Sequence, residues 1–220
     1  MTITNRKRAP ARCYTGIGSR STPAHVFDRM RAIASELAVE GYELRSGGAD
    51  GADTAFELGC DDVQGAKSIW LPWPGFQGRK AALSDRTFLP TPAAFAMASA
   101  LHPAWSRLSR GPRSLHARNA HQVGGADLAS PSSFVVCWTA DGAESAADVS
   151  AKTGGTGTAI RLASLCGIPT FNLVRPHAEA RLAAHLAAAR ELDSKPRRPL
   201  QPPPPAELEP SAPVLRFPTR

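Results

Sequence analysis

Short apolar runs, several of them ending in glycine, alternate along this chain with segments whose apolar positions recur every three or four residues. The first run, RCYTGIG, reads as a strand. Thr22 and Pro23 then read as the N-cap and first residue of a helix that carries Val26, Phe27, Met30, Ile33, Ala34 and Leu37 on one face, with Gly41 placed to stop it. The plan repeats with a strand at 42–44, a glycine-rich loop, a helix from about 53 to 58 and Gly59 as its stop. A third strand is expected at 67–73, and residues 74–112 are less regular. Helices follow near 93–101 and 112–123. The continuous apolar run SSFVVCWT has the pattern of a strand buried on both faces. The stretch KTGGTGTAIRLASLCGIPTFNL adds a helix at 158–166 and a last strand at 168–173, and PHAEARLAAHLAAAREL closes the series with a helix whose face is Leu182, Leu186 and Ala189.

Strands separated by helices at this spacing predict an α/β fold: a Rossmann-like, doubly wound parallel sheet with helices on both faces. One domain is expected over 13–193. The 26 residues after Ser194 hold nine of the chain's 20 prolines and read as a disordered or polyproline II tail, so the tail is set at 194–220.

Charge refines this picture. The net +7 resides at the ends: residues 1–12, a basic leader, carry four cations and no acid, and residues 194–220 carry five cations against Glu207 and Glu209. The domain between has 17 basic and 17 acidic side chains. Within it, 86–126 contains no Asp or Glu but holds Arg86, Arg107, Arg110, Arg113 and Arg118 with His102, His116 and His121, a local cationic stretch suited to phosphate. No apolar run approaches the roughly 18 residues of a membrane helix, and the basic leader is followed by no apolar signal segment, so the cytoplasm is the expected compartment. Cys13, Cys60, Cys137 and Cys166 lack metal-ligand spacing and read as structural thiols, and the five-residue spacing of His116 and His121 makes no metal pair. No metal and no cofactor is expected.

In open parallel sheets the ligand lies beyond the carboxyl ends of the strands. Three glycine-rich loops fall on that edge: TGIGSRS, SGGADGAD and TGGTGT. Glycine lets backbone approach a ligand, and helix N-terminal amides favour an anion. The candidate phosphate or nucleotide contacts are therefore Gly16, Gly18, Ser19 and Arg20; Ser46, Gly47 and Gly48; Arg118 and Asn119; and Gly154, Gly155, Thr156, Gly157 and Thr158. Arg118 leads them, since a guanidinium pairs bidentately with phosphate oxygens. Asp50, Asp53 and Asp141 are the carboxylates within reach of the same edge, with helix capping as the rival role of Asp53. Trp70, Trp73 and Trp105 are available for stacking on bases, against a rival role in packing.

GIGSR, SGGADGADTAFE, ARN and GGTGTAIRLASLCGIPTF occur in the order found in the DNA-processing protein A (DprA/Smf) family and its relative, the LOG family of nucleoside-phosphate phosphoribohydrolases, together the SLOG superfamily. The chain resembles them over about 14–173. The DprA-like resemblance implies binding of single-stranded DNA, with Arg118 and Asn119 similar to that family's RN pair, and pairing as a homodimer. The LOG-like resemblance implies that Gly154, Gly155, Gly157 and Thr158 hold a nucleotide phosphate, but it puts Arg161 where that motif has a glutamate. N-glycosidic cleavage passes through a cationic state that an arginine would oppose. The expected function is therefore binding of a nucleotide or single-stranded nucleic acid; the alternatives are an N-glycosidase working through other carboxylates and a sensor of a nucleotide signal. The tail's partner is left open.

Overall fold

The computed structural model describes residues 12–79 and 87–194; the leader up to residue 11, Arg86 and the proline-rich tail from 195 lie outside the described residues. The elements run β1 (Cys13–Gly18), α1 (Ala24–Val39), β2 (Glu43–Ser46), α2 (Ala52–Asp62), β3 (Lys67–Trp70), β4 (Thr87–Phe88), α3 (Pro92–Leu101), α4 (Arg110–Gly124), β5 (Val135–Trp138), α5 (Gly157–Leu165), β6 (Thr170–Asn172) and α6 (Ala178–Ser194). All strand pairs are parallel, in the order β4-β3-β2-β1-β5-β6. The direction of winding therefore reverses between β1 and β5. This is the α/β doubly wound architecture expected from the alternation of patterns. The sheet, α1 to α5 and the start of α6 belong to a compact unit ending at Ala184; α6 continues from His185 as part of a second unit.

Alternation along β1 sets the two helical layers. Tyr14 and Gly16 face α2: the Tyr14 and Phe56 ring centroids are 6.3 Å apart, and a Cβ on Gly16 would lie 2.6 Å from the Phe56 ring. On the opposite face, Thr15 donates to the Gln122 carbonyl at 2.7 Å, and Ile17 packs in one apolar cluster with Ala117, Ala120 and Ile160. Alanines carry much of that second layer, with Ala94 and Ala98 on α3, Ala117 and Ala120 on α4, and Ala159 and Ala163 on α5 all buried. Small side chains let these helices approach closely while burying little apolar area each.

Three local expectations are corrected. Gly59 does not stop α2 but lies inside it, where a Cβ would fall 2.0 Å from the Arg31 carbonyl oxygen of α1. Its role is close helix packing. Thr22 does not cap α1, which starts at Ala24 with Pro23 in the cap; the Thr22 hydroxyl donates to the Ser19 carbonyl at 2.7 Å instead. Trp70 is no platform for bases, because it is buried and stacked between Phe88 and His121 at centroid distances of 4.6 and 4.2 Å. The short edge strand β4 comes from the irregular region, where no pattern announced it. Cys13, Cys60 and Cys137 are buried, Cys166 is exposed, and none forms a disulfide.

Candidate functional site

A cleft of about 290 Å³ opens where the winding reverses, at the carboxyl end of β1. Gly18, Ser19, Arg20 and Ser21 form one side, and Lys152 to Thr156 form the other. The floor and back wall come from α4. Leu115, Arg118, Asn119 and Gln122 all line the cleft, and their spacing of three, four and seven puts them on one stripe of that helix. Ala49 and Phe76 complete an apolar flank beside Leu115.

Arg118 is buried and committed. Its Nη1 donates to Asp53 Oδ2 at 2.8 Å, with 7% and 4% of the two side chains exposed, and the Ala49 amide donates to the same oxygen at 3.3 Å. Burial pushes the Asp53 carboxyl up from its ordinary range, and Arg118 pulls against that shift. Gly47 makes the pair possible: a Cβ there would stand 1.2 Å from Arg118 Nη1. Of the two other guanidinium nitrogens, Nε is buried with no hydrogen-bond partner among the described residues, and so are both ends of the Gln122 carboxamide.

The GGTGT loop is built by its neighbours. Ala151–Thr156 is a 3-10 turn broken at Gly154, whose φ of 62° is left-handed. The Ser150 hydroxyl accepts from the Lys152 amide at 3.1 Å, and the Thr153 hydroxyl accepts from the Ser150 amide at 2.9 Å. Both hydroxyls then donate to Asp141 Oδ2, each at 2.5 Å. Burial works against the charge on Asp141, yet the Ser150, Thr153 and Thr139 hydroxyls outweigh it and hold the carboxyl down at about 2. From the other side, Asn119 Nδ2 donates to the Gly155 carbonyl at 2.7 Å. A Cβ on Gly155 would meet no atom within 4 Å among the described residues, and this glycine has no positive φ. Neither packing nor backbone conformation demands a glycine there. Gly155 lines the cleft, so the bare backbone leaves room on that side.

Of the residues singled out by the sequence, Gly18, Ser19, Arg20, Arg118, Asn119, Gly154, Gly155 and Thr156 line the cleft, and so does Asp53. The others lie behind it or beside it. Gly16 sits under Phe56, and its carbonyl accepts from the buried Ser46 hydroxyl at 2.8 Å. Gly47 lies under Arg118, and Gly48 adjoins Leu71 and Arg79. Gly157 opens α5, and the Thr158 hydroxyl is 2.8 Å from His116 Nδ1. Asp50 accepts from Gln77 at 2.8 Å on the surface, and Asp141 is spent on the loop. Trp73 is exposed and packs edge-on to Phe76, and Arg113 lies over the ring of half-buried Trp105. Sequence reasoning missed Gln122, Lys152, Thr153, Leu115 and Phe76. Gln122 follows Arg118 by one helical turn and Lys152 borders the glycine loop, so both were within reach of a spacing argument.

Among the described residues, the charged groups on the cleft are Arg20, Lys152 and Arg118 against Asp53. Arg20 and Lys152 are exposed at the rim, where an anion meets them first. Among the described residues no group of three or more His, Cys, Asp or Glu is placed to hold a metal ion, and no helix is long and apolar enough to cross a membrane.

No protein-family model matches the chain. No curated protein matches it either. Among solved structures it is similar to DNA processing protein A from Helicobacter pylori, a structure described for its single-stranded DNA binding mode, at 17% identity and a TM-score of 0.42. The similarity covers 74% of this chain and 65% of that one.

Proposed function

We propose that the cleft binds a nucleotide, free or as one unit of a single strand, with the phosphate against the open backbone of Gly154 and Gly155 and between Arg20 and Lys152. The observation that carries this reading is the cationic rim over a glycine backbone that the protein's own packing leaves uncovered, at the point where the winding reverses. The order of the glycine motifs supports it. The volume, about 290 Å³, suits one nucleotide unit better than several.

Binding is favoured over N-glycosidic hydrolysis because Asp53, the carboxylate on the cleft, is held by Arg118. A general base or nucleophile needs a carboxylate turned toward substrate.

Titration of the full-length chain with nucleoside monophosphates and with oligo(dT) tests the reading. At least one ligand class is expected to bind at low salt, and replacing both Arg20 and Lys152 by alanine is expected to weaken it by about tenfold or more, as the loss of two charge-assisted contacts implies. A strand binder adds a salt slope of about −0.7 per neutralised phosphate. Release of free base from a nucleotide panel, abolished by Asp53→Asn, would instead make the protein a hydrolase. Absence of any binding at low salt sinks the proposal.

A further inference from the structure

Gln122 is 1% exposed, yet it lines the cleft with both ends of its carboxamide unpartnered among the described residues. A buried amide in that state costs the fold, and an apolar side chain of the same length would be cheaper there. The helix cannot turn to relieve it, because the Gln122 carbonyl accepts from Thr15 in the middle of β1 and its neighbour Asn119 is tied to Gly155. The amide lies beside the guanidinium: a Cβ on Gly47 would be 1.2 Å from Arg118 Nη1 and 2.7 Å from Gln122 Nε2. Arg118 Nε and Gln122 Nε2, two donors, and Gln122 Oε1, an acceptor, are thus buried and unsatisfied in side chains that line the cleft beside the apolar Ile17, Leu115 and Phe76.

This set does not suit a phosphate, which offers acceptors only at neutral pH and is repelled by a carbonyl oxygen. A neutral planar group that carries a donor next to an acceptor satisfies it, and the edges of the nucleobases have that form. We infer that Gln122 reads the base edge of the bound nucleotide, so that the floor recognises the base while the rim recognises the phosphate. The inference rests on the nucleotide reading above and adds a specificity-determining residue to it.

Isothermal titration of the full-length protein with AMP, GMP, CMP and UMP, and with ribose 5-phosphate, tests it on the wild type and on Gln122→Met, which keeps length and unbranched shape. The wild type is expected to bind at least one nucleotide about tenfold or more tighter than ribose 5-phosphate, the discrimination a pair of buried hydrogen bonds provides. Gln122→Met is expected to lose that preference, to keep its ribose 5-phosphate affinity within about twofold, and to melt without ligand no lower than the wild type. Should the Met variant fail to fold, Gln122→Glu, which removes the donor and keeps the shape, is expected to lose the preference in the same way. Retention of the full nucleotide preference by either folded variant overturns the inference, as does a wild type that binds ribose 5-phosphate as well as it binds nucleotides, although phosphate binding at the rim would then stand. If neither ligand class binds, the nucleotide reading fails and the role of Gln122 fails with it.

Discussion

Two glycines of the site differ in what an added methyl group would do. At Gly47 the Cβ would overlap Arg118 Nη1 and lie 2.3 Å from Cζ, so the guanidinium must leave Asp53. Breaking a buried ion pair from one side costs about 3–5 kcal/mol, and Gly47→Ala is expected to lower stability toward that range in urea denaturation. At Gly155 the methyl would meet open space. Gly155→Ala is expected to leave the unfolding free energy in urea denaturation unchanged or raised by at most about 1 kcal/mol, while weakening nucleotide binding. A Gly155→Ala variant with wild-type affinity would remove the argument that this position is kept open for a ligand. The pair also marks a limit of the sequence. Both glycines stand out as letters in glycine-rich loops, but the reason for Gly47 is a side chain 71 positions away, which no local pattern announces.

The helices were legible because each carries an apolar stripe, and their limits moved by only a few residues between pattern and structure. Gly59 was misread because glycine serves two ends, terminating a helix or letting two helices touch, and a single sequence does not separate them. The structure does, and it reverses the sign of a test. Helix propensity alone makes Gly59→Ala stabilising by about 1 kcal/mol. With the Arg31 carbonyl 2.0 Å from the new Cβ, Gly59→Ala is instead expected to cost about 1–3 kcal/mol, read as a fall of several degrees in the melting temperature. β4 was illegible because two residues cannot display an alternation. Gln122 was illegible for a related reason: a polar residue between Ala120 and Val123 looks like the solvated face of a helix until the sheet is laid against it.

For the molecule as a whole, histidine burial ties stability to pH. Burial, with repulsion from His102, Arg118 and Arg161, pushes the His116 imidazole down from 6.5 to about 4. Unfolded, His116 takes up its proton near 6.5; folded, it does so only near 4, so acidification between those values favours the unfolded chain. The term is on the order of 3 kcal/mol. His102 and His121 are lowered in the same direction, also by burial. The urea midpoint is expected to fall from pH 7 to pH 4.5, and His116→Asn is expected to flatten that fall. Asp141 adds a lower window, its support being lost only as pH drops from 3.8 through about 2. The hydrogen bond from Asn119 to Gly155 joins residues 36 positions apart. Two chains could therefore share GGTGT letter for letter and differ in whether it takes this shape, depending on what stands at position 119. The motif is written in two places, and a search that reads only one of them sees half of the word.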